Sequence, residues 1–197
     1  KHAFIATKLS GVTGREEGRA QFANTLKRLR TDKVELLQVH NLRDWKTQIA
    51  VARELKSEGK VKYVGVTHYT EAAQDELAEV VKATQPDFLQ INYSVTQRAA
   101  EKKIFPLARD LGVAVLANRN FDDGVLFNKV RDQSLPAWAA EVGATSWAQL
   151  FLKFALSEEA VTAVIPATGK PDRQSDNLKA GLGALLTAKQ KTDLIRI

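Results

Sequence analysis

Short apolar runs alternate with longer amphipathic runs along the whole chain, and this alternation restricts the fold more than any other feature. Strands that are buried on both faces are continuously apolar, whereas helices that cover a sheet carry apolar residues only every three or four positions. The alternation therefore predicts a parallel sheet with helices on both faces. The predicted strands are Phe4–Lys8, Val34–His40, Val61–Thr67, Phe88–Tyr93, Val113–Asn118 and Val161–Pro166. The predicted helices are Glu16–Leu29, Lys46–Leu55, Glu71–Ala83, Ala99–Leu111, Trp147–Leu156, Asp172–Ala180 and the terminal segment Ala188–Ile197.

Two α/β architectures agree with such strand–helix units: a doubly wound open sheet and a (β/α)8 TIM barrel. No predicted strand is followed by the Gly-x-Gly-x-x-Gly pattern of dinucleotide binding in the open fold, so the barrel is favoured. The chain starts at Lys1 and contains no Met, which indicates that the first strands of the barrel are missing from it. No linker-like change of composition occurs. We therefore expect residues 1–197 to form a single domain, roughly the C-terminal three quarters of a barrel.

The overall composition excludes several classes of protein. The chain is 44% hydrophobic and 26% charged, as globular domains are, and no apolar run reaches the ~20 residues of a membrane-spanning helix. Without cysteine there is no disulfide framework and no thiolate chemistry. The net charge of +6 comes without a run of five like charges, so we expect no nucleic-acid partner; a basic nucleic-acid-binding domain is the alternative. We also expect a cytoplasmic protein that binds no membrane, while the sequence predicts no oligomeric state.

Polar residues stand at the carboxyl ends of the predicted strands, where the active sites of (β/α)8 barrels lie. Two interpretations stay open for the strongest candidates: Lys8 is catalytic or only reaches water, and His40 is catalytic or a hydrogen-bonded structural residue. His2 and His68 are weaker candidates. No pair of histidines has the helical spacing of a hydrolytic zinc site, so no metal is predicted. The other polar residues at strand ends are Thr67, Gln90, Asn92, Asn118, Arg119 and Thr168.

Five segments resemble, in order and spacing, the successive strand ends of the aldo-keto reductases. They are FIATKLS, LLQVHNL, LKSEGKVKYVGVTHY, FLQINYS and VIPATGKPDRQSDN, and they extend over essentially the whole chain. The resemblance implies a (β/α)8 barrel that binds NADPH in an extended form without a Gly-rich loop. It also implies hydride transfer to the carbonyl carbon of a small-molecule aldehyde or ketone, with a Tyr hydroxyl protonating the oxygen.

The resemblance assigns roles to individual residues. Lys8 corresponds to the lysine that lowers the pKa of the catalytic tyrosine, as a cation near a phenol does, and His40 corresponds to the histidine that orients the carbonyl. Gln90 corresponds to the residue that holds the nicotinamide carboxamide, and Thr67 to a serine beside it. The other residues expected to bind the cofactor are His68 next to the carboxamide, Asn118, Arg119 and Phe121 at and after the fifth predicted strand, and Thr168, Arg173, Asp176 and Asn177 around the adenosine 2′-phosphate and the adenine.

Several positions differ from the family pattern. His68 stands where asparagine is usual, and Asn118 stands where an aromatic residue often stacks on the nicotinamide. Asn120 replaces a proline, and Ala167 occupies a position where some members have lysine. The catalytic Tyr of the family and its partner Asp belong to strands that precede Lys1. The resemblance predicts an NADPH-dependent aldehyde or ketone reductase; the alternative is a cofactor-binding, catalytically weak regulatory subunit of another protein.

Overall fold

The structure, a computed structural model, describes residues 3–197 and consists of strands that alternate with helices. The strands are β1 (Ala6–Leu9), β2 (Val34–His40), β3 (Val61–Thr67), β4 (Phe88–Asn92), β5 (Ala114–Asn118) and β6 (Val161–Val164). The helices are α1 (Arg15–Leu29), α2 (Trp45–Ser57), α3 (Gln74–Thr84), α4 (Ile104–Leu111), α5 (Val125–Lys129), α6 (Trp147–Leu156), α7 (Pro171–Lys179) and α8 (Ala188–Ile195). Short 3₁₀ helices lie at Glu71–Ala73, Ala99–Glu101, Asp122–Gly124 and Ala137–Val142.

The predicted elements are found, and most differences concern their ends. β2, β3 and α6 have the predicted bounds. α3 and α4 are shorter than predicted, because a 3₁₀ helix precedes each of them. No strand or helix was predicted between β5 and α6, but this segment contains α5 and two 3₁₀ helices. These pieces are too short to produce a recognisable apolar period, and the positive φ of Asp123 (52°) and Gly124 (93°) interrupts them.

The strands follow one another in the sheet in the order of the sequence, from β1 to β6. β1 to β4 pair in parallel, and β5 pairs in parallel with β6. Parallel neighbours need a crossover connection, and the helices between the strands supply it. The register places His40 opposite Thr67 and Thr67 opposite Gln90. The carboxyl ends of β2, β3 and β4 are therefore level with one another.

The described residues form two compact units. The first contains the described residues up to Gln90 together with Asp110–Ala114, and the second contains Ile91–Arg109 and Val115–Ile197. In the first unit α1 and α2 pack on the strands through apolar side chains that recur at helical spacing. This core consists of Leu9, Phe22, Val34, Leu37, Val51, Ala52, Leu55, Val61 and Val64.

The second unit is built around the apolar helix α6 and the buried ring of Tyr93. The ring of Tyr93 packs against those of Phe105 and Phe154, with centroid distances of 4.9 and 5.6 Å. The hydroxyl of Tyr93 donates to Oε1 of Glu101 over 2.7 Å. Burial, followed by the interaction with Glu101, raises the pKa of Tyr93 well above its usual value. Tyr93 is therefore a core residue whose hydroxyl is already engaged.

Within residues 3–197 no helix has the length and apolar character needed to cross a membrane. In the same part of the chain no three or more His, Asp or Glu side chains are grouped so that they could hold a metal ion. His2, one of the weaker histidine candidates, lies outside the described residues.

Candidate active site

The carboxyl ends of β2, β3 and β4 place three polar side chains in one row. His40, Thr67 and Gln90 lie opposite one another on these neighbouring strands, and opposed residues of parallel strands project from the same face. Thr67 and Gln90 are buried, at 1% and 5% exposure, whereas His40 is partly exposed. Two residues earlier along β2, Gln38 lies opposite Lys8 on β1. The first unit thus carries two adjacent polar layers.

A buried glutamine determines how the amide of Gln90 is oriented. Gln38 is fully buried, and its Nε2 donates to Oε1 of Gln90 over 3.2 Å. Gly65 lies opposite Gln38, and a Cβ at this glycine would come within 2.9 Å of both Cγ of Gln38 and the carbonyl oxygen of Phe88. Because the hydrogen bond from Gln38 engages Oε1 of Gln90, the Nε2 group of Gln90 is available to donate to a ligand. Gln38 was not among the predicted site residues. Its position two residues before His40 places it on the same face of the strand, and this spacing could have indicated that it belongs to the site.

Lys8 and His40 have pKa values that depart from their ordinary values. Burial lowers the pKa of Lys8. Burial, then the positive charge of Lys8 and that of His68 when it is protonated, lower the pKa of His40, so its imidazole is neutral at neutral pH. A neutral imidazole has one donor and one acceptor nitrogen. Nδ1 of His40 lies 3.0 Å from Oγ of Ser10, a residue that the sequence analysis did not select.

His68 turns back onto the chain that follows β3. Its Nδ1 accepts hydrogen bonds from the backbone N–H of Tyr69 over 3.0 Å and of Thr70 over 3.3 Å. The imidazole stacks on the ring of Tyr69 at a centroid distance of 5.7 Å. Burial lowers the pKa of His68. Because a backbone N–H can only donate, the neutral ring carries its proton on Nε2.

In the second unit, the residues after β6 and the first turns of α7 border a cavity of about 610 Å³. Cavities that hold cofactors and other small ligands have volumes of this order. The lining combines apolar side chains, an arginine, two aspartates, an asparagine and a threonine. The lining residues are Phe121, Phe127, Ala148, Ala167, Thr168, Asp172, Arg173, Asp176 and Asn177.

The N-terminus of α7 has the properties of an anion site. Pro171 occupies the first helical position, where a missing N–H costs nothing. Oγ1 of Thr168 accepts from the backbone N–H of Lys170 over 3.2 Å, which fixes the turn that enters the helix. The N–H groups of the first helical turn have no intrahelical partner and favour a phosphate, as does the guanidinium of Arg173. Thr168, Arg173 and the start of α7 therefore form one polar edge of the cavity.

Asp176 has a structural role besides lining the cavity. Its Oδ2 accepts from Oγ of Ser146 and its Oδ1 accepts from Nε2 of Gln149, both over 2.6 Å. Ser146 is the N-cap of α6, and its Oγ also accepts from the backbone N–H of Gln149. The carboxylate therefore ties α7 to the N-terminus of α6. An adenine bound by Asp176 would have to donate to lone pairs of the carboxylate that these two hydrogen bonds do not occupy.

The loop after β5 begins with Asn118 and is held by polar contacts. Oδ1 of Asn118 is buried without a hydrogen-bond partner among the described residues. Arg119, with a φ of 52°, forms an ion pair with Asp123. Nδ2 of Asn120, the residue found in place of the usual proline, donates to the carbonyl oxygen of Tyr93 over 3.0 Å. The ring of Phe121 lies 5.0 Å from that of Phe127, and both line the cavity.

The predicted site residues are divided between the two units. The first unit contains Lys8, His40, Thr67, His68 and Gln90. In the second unit five predicted residues line one cavity, whereas Asn118 and Arg119 are not among its lining residues. The five residues in the cavity are Phe121, Thr168, Arg173, Asp176 and Asn177.

A parallel sheet with alternating helices and polar residues at its strand ends is the arrangement expected of an aldo-keto reductase. The model of the Aldo/keto reductase family matches residues 1–195. The chain belongs to the aldo-keto reductase family, whose members generally reduce carbonyl groups with NAD(P)H.

Individual relatives are similar to parts of the chain. It is 28% identical over 134 residues to the NADH-specific methylglyoxal reductase of Escherichia coli, covering 63% of this chain and 39% of that protein. It is 34% identical over 120 residues to the uncharacterized oxidoreductase YrpG of Bacillus subtilis, covering 56% and 36%. It is 26% identical over 159 residues to the human aflatoxin B1 aldehyde reductase member 4, covering 75% and 48%. The chain thus spans less than half the length of each of these relatives.

Solved structures of the family confirm the predicted barrel class. The thermostable aldo-keto reductase Tm1743, solved with the inhibitor epalrestat, matches with a TM-score of 0.79 and 25% identity over 98% of this chain and 70% of that one. The holo form of aldo-keto reductase AKR11C1 from Bacillus halodurans matches with a TM-score of 0.77 and 22% identity over 97% and 70%. The six parallel strands correspond to part of a (β/α)8 barrel and do not close a barrel by themselves.

Proposed function

We propose that this protein is an NADPH-dependent oxidoreductase that reduces aldehydes or ketones to alcohols by hydride transfer. One observation carries the proposal: His40, Thr67 and Gln90 form a row at the strand ends, with Lys8 on the neighbouring strand one layer earlier. The resemblance to the family places the lysine and the histidine of carbonyl reduction at Lys8 and His40, and the residues that hold the nicotinamide carboxamide at Gln90 and, with threonine in place of serine, at Thr67. Membership of the family supports the proposal.

Lys8 and His40 are the proposed catalytic residues of this chain. The neutral imidazole of His40 has one N–H that can donate to the carbonyl oxygen and so orient it. The ammonium of Lys8 would stabilise the ionised form of the tyrosine that the family places before this segment, so that the phenol gives up its proton more readily. His40 would act directly on the negative charge that develops on the carbonyl oxygen, where preorganised donors have their largest effect, whereas Lys8 would act on it through the tyrosine.

The residues of the first unit fit the carboxamide end of a nicotinamide cofactor. Nε2 of Gln90 is available to donate to a carboxamide oxygen because its Oε1 already accepts from Gln38. Thr67 lies beside Gln90 and supplies a hydroxyl. His68, with its proton on Nε2, supplies a further donor in place of the usual asparagine. When bound, the cofactor supplies the hydride.

The residues of the second unit fit the adenosine end of that cofactor. Arg173, Thr168 and the free N–H groups of α7 would hold a phosphate, and Asn177 and Asp176 offer hydrogen bonds to an adenine. Phe121 provides an apolar surface at the cavity. Outside the cavity, the buried, unpartnered Oδ1 of Asn118 is an acceptor that an N–H group of the cofactor can satisfy, and Arg119 is a second cation proposed to bind the cofactor. These assignments suit the donor set that the cavity presents.

The choice of NADPH over NADH rests on Arg173. A guanidinium beside a helix N-terminus is well suited to a 2′-phosphate, because it can donate two parallel hydrogen bonds. Ala167 supplies no charge where some family members have lysine, and Asp172 and Asp176 add negative charge to the cavity lining. The E. coli relative is named as NADH-specific. Arg173 is therefore the single side chain on which we base the preference for NADPH.

The other features proposed for the protein follow from its proposed reaction. The substrate is a small-molecule carbonyl compound. A single family model spans residues 1–195, which supports one reductase domain. We place the enzyme in the cytoplasm, where nicotinamide cofactors are supplied, and we propose neither a membrane nor a nucleic-acid partner. The basic residues are scattered without a run of five like charges.

A catalytically weak, cofactor-binding regulatory subunit is the second candidate. Asn118 favours it, because an amide replaces the aromatic ring that often stacks on the nicotinamide and holds it in line for transfer. The two candidates share cofactor binding and differ in turnover. A Tyr and an Asp at the preceding strand ends support the enzyme, and their absence supports the regulatory subunit.

The substitution Lys8→Met tests the proposed function in the natural full-length protein. It removes the charge and keeps much of the side-chain volume. Turnover of a generic aromatic aldehyde should fall at least ~100-fold, the lower range for losing positioned acid–base assistance. The dissociation constant of NADPH, measured by fluorescence quenching, should change far less.

A matched control is Lys33→Met, at an exposed lysine just before β2. This variant should keep normal turnover. Turnover of Lys8→Met within a few fold of the wild-type value would contradict the catalytic role of Lys8.

A further inference from the structure

The backbone of Ser10 is held by one side chain on both of its hydrogen-bonding groups. The backbone N–H of Ser10 donates to Oε1 of Gln21, and Nε2 of Gln21 donates to the carbonyl oxygen of Ser10, both over 2.8 Å. Ser10 is the first residue after β1, and Gln21 lies on α1. The side-chain amide of Gln21 thus satisfies both backbone groups of Ser10, as a neighbouring strand would do within a sheet. The chain then turns away at Gly11, whose φ is 72°.

The hydroxyl of Ser10 reaches the end of β2. Its Oγ lies 3.0 Å from Nδ1 of His40, which is hydrogen-bonding distance. A hydroxyl can donate or accept, so the position of the proton on the imidazole decides the direction of this bond. With a neutral His40, a donating Ser10 places the imidazole proton on Nε2, whereas an accepting Ser10 places it on Nδ1.

His68 offers a comparison within the same unit. Two backbone N–H groups donate to its Nδ1, so its proton is fixed on Nε2. His40 has no backbone donor of this kind among its described hydrogen bonds, and its Nδ1 instead lies within hydrogen-bonding distance of the Ser10 hydroxyl, which can donate or accept. The cation of Lys8 also acts on His40. It disfavours a second proton on the imidazole and leaves the choice of tautomer to the hydroxyl.

We propose that Ser10, held by Gln21, is a positioning residue that donates its hydroxyl proton to Nδ1 of His40 and thereby fixes the imidazole with its proton on Nε2. This inference rests on the proposed function, in which His40 donates to the carbonyl oxygen of the substrate. The opposite tautomer would present a lone pair to that oxygen. Ser10 thus acts through His40 and touches neither substrate nor cofactor in this account.

The tautomer can be measured without turnover. In the ¹⁵N-labelled, natural full-length protein, long-range ¹H–¹⁵N spectra report which ring nitrogen of each histidine carries the proton. The signals of His40 and His68 are identified by their loss in His40→Gln and His68→Gln. We expect both rings to be protonated on Nε2. In Ser10→Ala the Nδ1 signal of His40 should move toward that of a nitrogen without a hydrogen bond, and the signals of His68 should stay in place.

The kinetic consequence is measured on the same variants with a generic aldehyde and NADPH. Ser10→Ala should lower kcat/KM for the carbonyl about 2- to 12-fold, which corresponds to the loss of one neutral hydrogen bond. The dissociation constant of NADPH should not change. Ser10→Thr keeps the hydroxyl and should restore both the Nδ1 signal and the rate. Gln21→Leu should shift the same signal, whereas the exposed neighbour Asn24→Ala on α1 should not.

Each outcome decides the inference. A proton on Nδ1 of His40 in the wild-type protein, or an unchanged Nδ1 signal in Ser10→Ala, would overturn it. A shifted signal with an unchanged kcat/KM would remove the positioning role in catalysis. If the wild-type protein reduces no carbonyl, the proposed function fails, and with it any role in catalysis, whereas the spectra still decide whether Ser10 sets the tautomer.

Discussion

Replacing Arg173 with alanine tests how the protein selects its cofactor. Arg173 lies in the first turn of α7, lines the cavity of about 610 Å³ and is exposed to solvent. A hydrogen bond to a charged group is worth roughly 1.5–3 kcal/mol, or about 12- to 150-fold in affinity. Solvent and salt weaken an exposed pair, and Asp172 adds a negative charge beside it. We therefore expect Arg173→Ala to weaken NADPH binding about 10- to 30-fold at about 0.15 M salt.

The assay compares two cofactors that differ only in the 2′-phosphate. NADPH and NADH are titrated by fluorescence quenching into the wild-type protein, Arg173→Ala and the control Lys179→Ala, which removes a charge at the far end of α7. Arg173→Ala should lose affinity for NADPH alone, and the loss should shrink as salt increases. Lys179→Ala should bind both cofactors normally. Equal losses for NADPH and NADH would mean that Arg173 supports the fold and does not recognise the 2′-phosphate.

Two further predictions concern stability. Gly65→Ala should lower the free energy of unfolding, measured by urea titration, by about 1–3 kcal/mol, because the new Cβ would lie 2.9 Å from Gln38 and from the backbone of Phe88. The control Gly169→Ala, whose Cβ would meet no atom within 4 Å, should lower it far less. Equal losses in the two variants would contradict the role of close packing at Gly65. Stability should also fall as the pH drops below about 6.5, because burial lowers the pKa of His40 and His68 in the folded state while the unfolded chain takes up protons at the ordinary value. The double variant His40→Gln/His68→Gln should show a flatter decline between about pH 7 and 5, and an identical decline in both proteins would contradict the assignment.

Apolar periodicity predicted the strands and their parallel arrangement because it depends only on which faces of an element are buried. Val34–His40 and Val61–Thr67 were predicted at the bounds that the structure has. The short helix Val125–Lys129 was not predicted, because five residues are too few to display a helical period. The order of polar strand ends also located Lys8, His40, Thr67 and Gln90 on the sheet. Their catalytic and binding roles remain predictions.

The partners of these residues could not be read from the sequence, because they depend on contacts between distant positions. Ser10 and His40 are thirty residues apart, and Gln38 and Gln90 are fifty-two apart. No local pattern couples such pairs; only the register of the parallel strands brings them together. The same holds for Asp176: the resemblance to the family implied adenine binding, but its carboxylate is also bonded to the start of α6.

Hydride transfer from the cofactor to a carbonyl can be observed by following the transferred atom. The natural full-length protein is incubated with an aromatic aldehyde and NADPH that carries deuterium at the reactive carbon of the nicotinamide. We expect an alcohol with one deuterium on the former carbonyl carbon, formed in proportion to the cofactor oxidised, and a greatly reduced yield with Lys8→Met. Binding of NADPH with no deuterium in any alcohol would rule out carbonyl reduction by this protein and would identify the regulatory subunit instead.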